Sequence, residues 1–233
     1  MRLVTWNLGH RLDGGHAPDD VVTALAALEP DIVILTGSLS GSARKSFLQS
    51  LAGLGLKHQL APEPGQHGSH ALVASRVELV PGLLKSGATG DPLPPNMLHA
   101  YAPIGVLDVL GITSPMSGSR PARRRAGWEW VLRAASTLKH RRAILIGDFE
   151  VDDRADGSDH LRQLIDAGWK HAVPAAGASY STASSEAVRL DHAFLSPSIQ
   201  NIDTRYALTV AGFRLTGTRD SLSNQPVLVV DVK

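Results

Sequence analysis

The chain has no cysteine among its 233 residues. That excludes a thiol nucleophile, a disulfide framework, a thiolate zinc site and an iron–sulfur cluster. A surplus of one charge sign is also lacking. The 23 Lys+Arg stand against 22 Asp+Glu, a formal +1, so any basic surface that attracts nucleic acid or anionic lipid must be local. Aromatics make up only 5% of the chain, which argues against a stacking platform for long single strands. No apolar run approaches the roughly 20 residues that cross a bilayer, and the most apolar windows are cut by Glu29-Pro30-Asp31 and by Asp108. The opening Met1-Arg2-Leu3-Val4-Thr5-Trp6-Asn7 is interrupted too soon to be the h-region of a signal peptide. It reads as a first strand, and the protein as cytoplasmic with no membrane anchor. Fixed-period repeats are absent too, as is any linker long enough to separate distinct cores, so residues 1–233 read as one domain.

What remains is a globular composition, 43% apolar and 19% charged, and a grammar of alternating strands and helices. Pro18-Asp19-Asp20 opens a helix with acids in its first turn and Val21, Val22, Leu25 and Leu28 as its apolar stripe; Pro30 stops it. Asp31-Ile32-Val33-Ile34-Leu35 reads as a strand buried on both faces. The same pattern predicts helices over Ser42–Leu54 and Arg120–Lys139, before strands at Leu56–Leu60 and Ala143–Ile146. Short strands are expected at His70–Ser75, Val77–Val80, Met97–Ala102 and Val106–Thr113. In the last third, Ser158 caps a helix carrying Leu161, Leu164 and Ile165, with Gly168 at its C-terminal end. Strands follow at Val188–Leu195, Ile199–Leu208 and Val227–Val232. Many strands with helices between them predict an α/β fold of stacked mixed sheets with helices on the outer faces.

Four segments fall where strands end, the usual place for a site in an open sheet: Thr5-Trp6-Asn7, Ile34-Leu35-Thr36-Gly37, Ile146-Gly147-Asp148-Phe149-Glu150 and Arg189-Leu190-Asp191-His192. Side chains alternate along an extended chain, so Asp148 and Glu150 are expected on one side, a pair suited to a hard divalent cation. A strand-terminal Asp that caps a turn is the plainer reading of the same residues.

Taken in order, Trp6-Asn7, Glu29-Pro30-Asp31-Ile32-Val33, Gly147-Asp148-Phe149 and Arg189-Leu190-Asp191-His192-Ala193-Phe194-Leu195-Ser196-Pro197 resemble the endonuclease/exonuclease/phosphatase superfamily of metal-dependent phosphoesterases. Gly68–Arg76 and Ser223–Val227 extend the resemblance over the whole chain. It implies a four-layer αββα sandwich, two mixed β-sheets packed face to face with helices outside. It also implies carboxylate-bound Mg²⁺ or Mn²⁺, groups that position phosphate and water, and a histidine oriented by an aspartate.

Asn7, Asp148 and Asp191 match the family pattern, and each is a candidate catalytic residue together with Gln225. Elsewhere the pattern departs. A strand that in the family ends Leu-Gln-Glu ends here Leu35-Thr36-Gly37, without the metal-binding carboxylate. The terminal Ser-Asp-His is Ser223-Asn224-Gln225, and the strand that usually presents Thr-His-Leu reads Gly111-Ile112-Thr113-Ser114-Pro115. A carboxylate lost at Gly37 and one gained at Glu150 imply a cation site of similar charge and shifted geometry, with Asp148, Glu150 and Asn224 as candidate ligands. Glutamine neither titrates nor carries charge near neutral pH. Losing a positioned acid–base typically costs about 10²–10⁴ in rate, so conventional hydrolysis is expected to be severely impaired.

Other histidines offer little compensation. Ser158-Asp159-His160 spells the lost motif but falls at a helix start. His192 points opposite to Asp191, and His10 and His16 lie on the loop after the first strand. Asp152, Asp153 and Asp156 read as solvated turn residues. Arg123, Arg124 and Arg125 open a nearly unopposed basic helix and are candidate phosphate ligands, where the helix dipole also favours anions. A solvated helix face is the competing reading. Trp128 and Trp130 cannot both face the core, so one is expected at the surface. The favoured function is a divergent protein, with conventional hydrolysis lost or strongly reduced, that uses an inherited cleft to bind a phosphorylated ligand, nucleic acid or partner or for altered chemistry; the alternative is an active Mg/Mn-dependent phosphodiesterase or nuclease with a rebuilt metal site.

Overall fold

Strand β1 (Arg2–Asn7) alternates its side chains between two apolar layers, Leu3 to one and Val4 and Trp6 to the other. It pairs in parallel with β2 (Ile32–Thr36) and antiparallel with β14 (Val227–Val232). The crossover between β1 and β2 is helix α1 (Pro18–Leu28), with Asp19 and Asp20 in its first turn. The computed structural model describes residues 1–9, 18–37, 43–61, 71–86, 94, 96–113, 121–153, 158–179, 188–215, 221–223 and 225–233.

With β3 (His58–Leu60), β4 (Leu72–Ser75) and β11 (Asn201–Ala207), the first sheet has the order β11-β14-β1-β2-β4-β3. The second sheet is built from β5 (Val80–Pro81), β6 (Met97–Ala102), β7 (Leu107–Thr113), β8 (Ala143–Asp148), β9 (Lys170–His171) and β10 (Asp191–Leu195). Its order is β5-β6-β7-β8-β10-β9. Leu3, Ile32 and Ile34 of one sheet meet Val109, Ile144, Ile146 and Ala193 of the other in a shared core. Helices α1 and α2 (Ala43–Gly53) cover the first sheet through Val21, Leu25, Phe47 and Leu51. Helices α3 (Pro121–Leu138) and α4 (Asp159–Asp166) cover the second through Val131, Ala135, Leu138, Leu161 and Leu164. This is the four-layer α/β sandwich the sequence implies.

Several local expectations change. The segment expected as a strand over Val77–Val80 contributes only Val80–Pro81 to the sheet. An unexpected hairpin, β12 (Thr209–Val210) and β13 (Phe213–Arg214), turns on Ala211 and Gly212 at φ 49 and 82, the two positive values that match strand twist in a two-residue turn. Trp128 and Trp130 are both buried. Helix α3 is flanked as well as backed: Trp128 stacks on His160 of α4, and Leu83 and Leu84 join the same cluster, so the covered arc exceeds that of a helix on a flat sheet. Ser158 precedes α4 with helical backbone angles and makes no side-chain cap. At the other end Gly168 sits at φ +94, and Gly168 and Trp169 donate to Ile165 and Leu164 carbonyls, the paired bonds of a glycine-terminated helix. No helix among the described residues is long and apolar enough to cross a membrane.

Candidate functional site

Parity places one polar residue from each central strand in the plane between the sheets. Odd residues of β1 and even residues of β2 and β8 face the shared core, as Leu3, Ile32 and Ile146 show, so Asn7, Thr36 and Asp148 end those strands facing inward. Thr113 and Asp191 flank Asp148 on the neighbouring strands, in register with it. A layer of apolar side chains therefore ends in a polar one at a single end of the sandwich.

The backbone around Asp148 leaves little freedom. Gly147 lies at φ +143, and a Cβ there would fall 2.0 Å from the Ile112 carbonyl oxygen, so only glycine permits this approach to β7. Asn7 Nδ2 donates to Asp148 Oδ2 at 2.7 Å, bridging the two sheets, while Asn7 Oδ1 accepts the Gly9 amide at 2.8 Å. The Glu150 amide donates to Asp148 Oδ1 at 2.9 Å. The Gln225 side chain also lies near enough to the Asp148 carboxylate to lower it. Its Oε1 is buried without a partner among the described residues. Ser223 delivers this segment: its hydroxyl donates to the Asn7 carbonyl and accepts the Gln225 amide at 3.1 Å.

Burial pushes the Asp148 carboxyl up to about 6, with a further push from the Glu150 charge, against the hydrogen bonds from Glu150 N–H, Asn7 and Gln225. Asp191 is raised well above its ordinary value, first by burial and then by the nearby Asp148 charge. The Ser179 hydroxyl beside the carboxyl offsets this rise only in part, since neither carboxyl oxygen makes a hydrogen bond of good geometry among the described residues. The Asp191 backbone is held firmly instead. The Ser179 hydroxyl oxygen accepts the amides of Leu190 and Asp191, and Tyr206 donates across the sheets to the Asp191 carbonyl at 2.8 Å.

The structure thus brings Asn7, Asp148, Asp191 and Gln225 to one place. Glu150 departs from the expected alternation: β8 ends at Asp148, and Glu150 turns to φ 51 with an exposed side chain. Its backbone N–H, rather than its carboxylate, touches Asp148, because the turn makes an acceptor of the preceding acid. Asn224, His10, His16, Asp156 and the side chain of Arg123 lie outside the described residues. Arg124 and Arg125 are exposed at the start of α3, the end of that helix nearer Asp148, and Arg125 pairs with Glu129 at 3.5 Å. Asp153 is not solvated as expected: it binds Arg189 at 3.1 Å with both side chains largely covered.

His192 does point away from Asp191. Its Nε2 donates to the Val151 carbonyl at 2.7 Å and its Nδ1 accepts from His171 Nε2 at 3.0 Å. Burial lowers both imidazoles, His171 to about 3, so this pair is neutral and supports the site floor from behind. Sequence reasoning missed His171, Ser179 and Tyr206, and named Ser223 only as part of the terminal motif; these residues act through contacts between distant segments that carry no local signal.

A divalent cation does not fit the described donors. Both Asp148 oxygens accept N–H bonds, Asn7 presents its NH₂ to Asp148, and Gly37 supplies no side chain. A Cβ on Gly37, at φ +106, would lie 2.7 Å from Gly9 N and 2.9 Å from Gly9 O. Among the described residues no three His, Asp or Glu side chains gather around one point.

No curated protein matches the chain. Solved structures do. A 3′-5′ exonuclease from Neisseria meningitidis is 16% identical with a TM-score of 0.74, covering 99% of each chain. A structure of a 3′ phosphatase from Neisseria bound to product DNA hairpin matches with the same TM-score of 0.74 and 16% identity, covering 100% of this chain and 99% of that one. A mannosyl-6-phosphatase from Bacteroides thetaiotaomicron matches at 16% identity and TM-score 0.64, over 100% of this chain and 99% of that one. The model of the endonuclease/exonuclease/phosphatase family matches residues 4–212, and with this span, this sandwich and this convergence of strand ends, the chain belongs to that family.

Proposed function

We propose that this chain uses the inherited cleft to bind a phosphate-bearing ligand, with conventional phosphoester hydrolysis lost or strongly reduced. The observation that carries the reading is Gln225. A side-chain amide, which cannot exchange a proton near neutral pH, sits on Asp148 in the segment where the family places an imidazole. The loss of that acid–base alone corresponds to about 10²–10⁴ in rate. The ligand class is supported by the structural neighbours, which include an exonuclease, a phosphatase bound to product DNA hairpin and a mannosyl-6-phosphatase. Arg124 and Arg125 at the start of α3 supply exposed positive charge at the same end of the sandwich.

The test follows binding of a fluorescent DNA hairpin and of mannose 6-phosphate, with hydrolysis of bis(p-nitrophenyl) phosphate in Mg²⁺ and in Mn²⁺. Binding that weakens at least tenfold in Arg124→Glu/Arg125→Glu, with hydrolysis at background, is expected. Turnover that Asp148→Ala abolishes overturns the reading. It would establish instead the second one, a Mg²⁺- or Mn²⁺-dependent phosphodiesterase with a rebuilt site, which the convergence of Asn7, Asp148 and Asp191 favours.

A further inference from the structure

We propose that the cluster of Asn7, Asp148 and Gln225 is complete without a divalent cation, the Gln225 amide standing where a cation would otherwise neutralise Asp148. The inference deepens the binding reading above, on which it rests, by stating what the cleft floor does not hold.

Three independent features carry it. The first is the direction of the hydrogen bonds. A carboxylate that holds a hard cation turns a lone pair toward it. Here Oδ2 accepts from Asn7 Nδ2 at 2.7 Å and Oδ1 accepts from Glu150 N–H at 2.9 Å, with the Gln225 amide beside them. Nor is Asn7 free to turn its carbonyl toward a cation, because Oδ1 is engaged by the Gly9 amide at 2.8 Å.

The second feature is the space beside this cluster. Gly37 follows β2 next to Asn7, and its missing side chain is structurally enforced. Its backbone is left-handed at φ +106, and an added Cβ would overlap Gly9 N and approach Asn7 Oδ1 to 3.1 Å. The loop after β1 therefore occupies the volume that a second carboxylate would need. The third feature is the lock on Gln225. Its amide N–H donates to Ser223 Oγ, and the same hydroxyl donates to the Asn7 carbonyl. Ser223 is itself buried. The amide side chain is thus presented to Asp148 by a fixed backbone, a built arrangement rather than an incidental contact.

The experiment compares wild type with Gln225→Glu by thermal melting and calorimetric titration, in EDTA and in millimolar Mn²⁺ or Mg²⁺. Wild type is expected to melt within about 1 °C under all conditions and to give no binding heat, since a ligand stabilises only in proportion to its saturation of the folded state. Gln225→Glu replaces a donor with a carboxylate facing Asp148. It is expected to lose stability in EDTA and to regain about 5–10 °C at roughly one hundred times its cation dissociation constant. If that variant does not fold in EDTA, Asn7→Asp makes the same exchange from the adjacent strand β1, and the wild-type titration stands by itself.

Saturable Mn²⁺ or Mg²⁺ binding by wild type overturns the inference, as does a folded Gln225→Glu chain with no cation response. Failure here is separable from failure of the binding reading. Cation binding by wild type without phosphodiester turnover sinks this inference alone, and turnover that persists in EDTA sinks only the other.

Discussion

Replacing Asp148 by asparagine tests the electrostatics of the site without changing its shape. An aspartyl carboxyl ordinarily titrates near 3.8, and this one is pushed up to about 6. Holding it ionised in the folded chain therefore costs about 3 kcal/mol relative to the unfolded chain. The folded value lies above the unfolded one, so the contribution to stability is fully present below 3.8 and is lost as pH rises toward 6. Of the total, about 2 kcal/mol falls between about pH 4.5 and about pH 7.5. Asparagine has no such dependence. Its amide still accepts from Asn7, but it faces the Glu150 N–H with one donor too many, at a pH-independent cost of about 1–3 kcal/mol. The variant's stability relative to wild type should thus rise by about 2 kcal/mol on going from the lower to the higher pH, whatever its absolute value. Removing the Asp148 charge also eases Asp191, its in-register neighbour, which adds in the same direction. Urea denaturation in EDTA across that range measures the difference directly. A flat difference, or one that falls with pH, would refute the picture of a buried carboxyl whose hydrogen bonds only partly offset the cost of its burial. A fall only when Mg²⁺ is added would mean that a cation stabilises the ionised form.

The neutral histidine pair behind the site has the opposite sign. His171 is lowered from 6.5 to about 3 by burial, so its own contribution should fall by about 1 kcal/mol per pH unit below 6.5, opposing the gain from Asp148, and His171→Phe should gain stability relative to wild type by that amount per unit as pH falls in urea melts. Gly37→Ala should cost about 2 kcal/mol or more, because it combines left-handed strain with overlap of the Gly9 backbone; a loss under about 0.5 kcal/mol in chemical denaturation would contradict the clash. At the far end of the second sheet, buried Asp108 binds His99 at 2.9 Å and Arg141 at 2.6 Å. Burial alone would raise that carboxyl, but the hydrogen bonds from His99 and Arg141 outweigh it and hold it below its ordinary value. Asp108→Asn should therefore destabilise by about 3 kcal/mol, and a change within error in urea melts would show that the network contributes little.

Periodicity and punctuation by themselves determined most of the architecture. Runs such as Asp31-Ile32-Val33-Ile34-Leu35, stopped by Pro30 and Gly37, announce a strand covered on both faces, and α1 begins at the acids that follow Pro18. The family resemblance carried by motifs at strand ends picked out Asn7, Asp148 and Asp191, which the structure brings to one end of the sandwich. The two-residue elements of β9 and the β12–β13 hairpin escaped, since so short a strand is made by its partner and carries no period of its own. Only the tertiary structure decided that Glu150 turns outward while its amide caps Asp148, that both tryptophans of α3 are covered, and that Ser223 hands Gln225 to Asp148. It also showed that the glycine at position 37 is enforced by Gly9, which lies far from it along the chain. Such facts depend on where distant segments meet, and hydrogen-bond direction, burial and the shift of a buried carboxyl exist only after they have met.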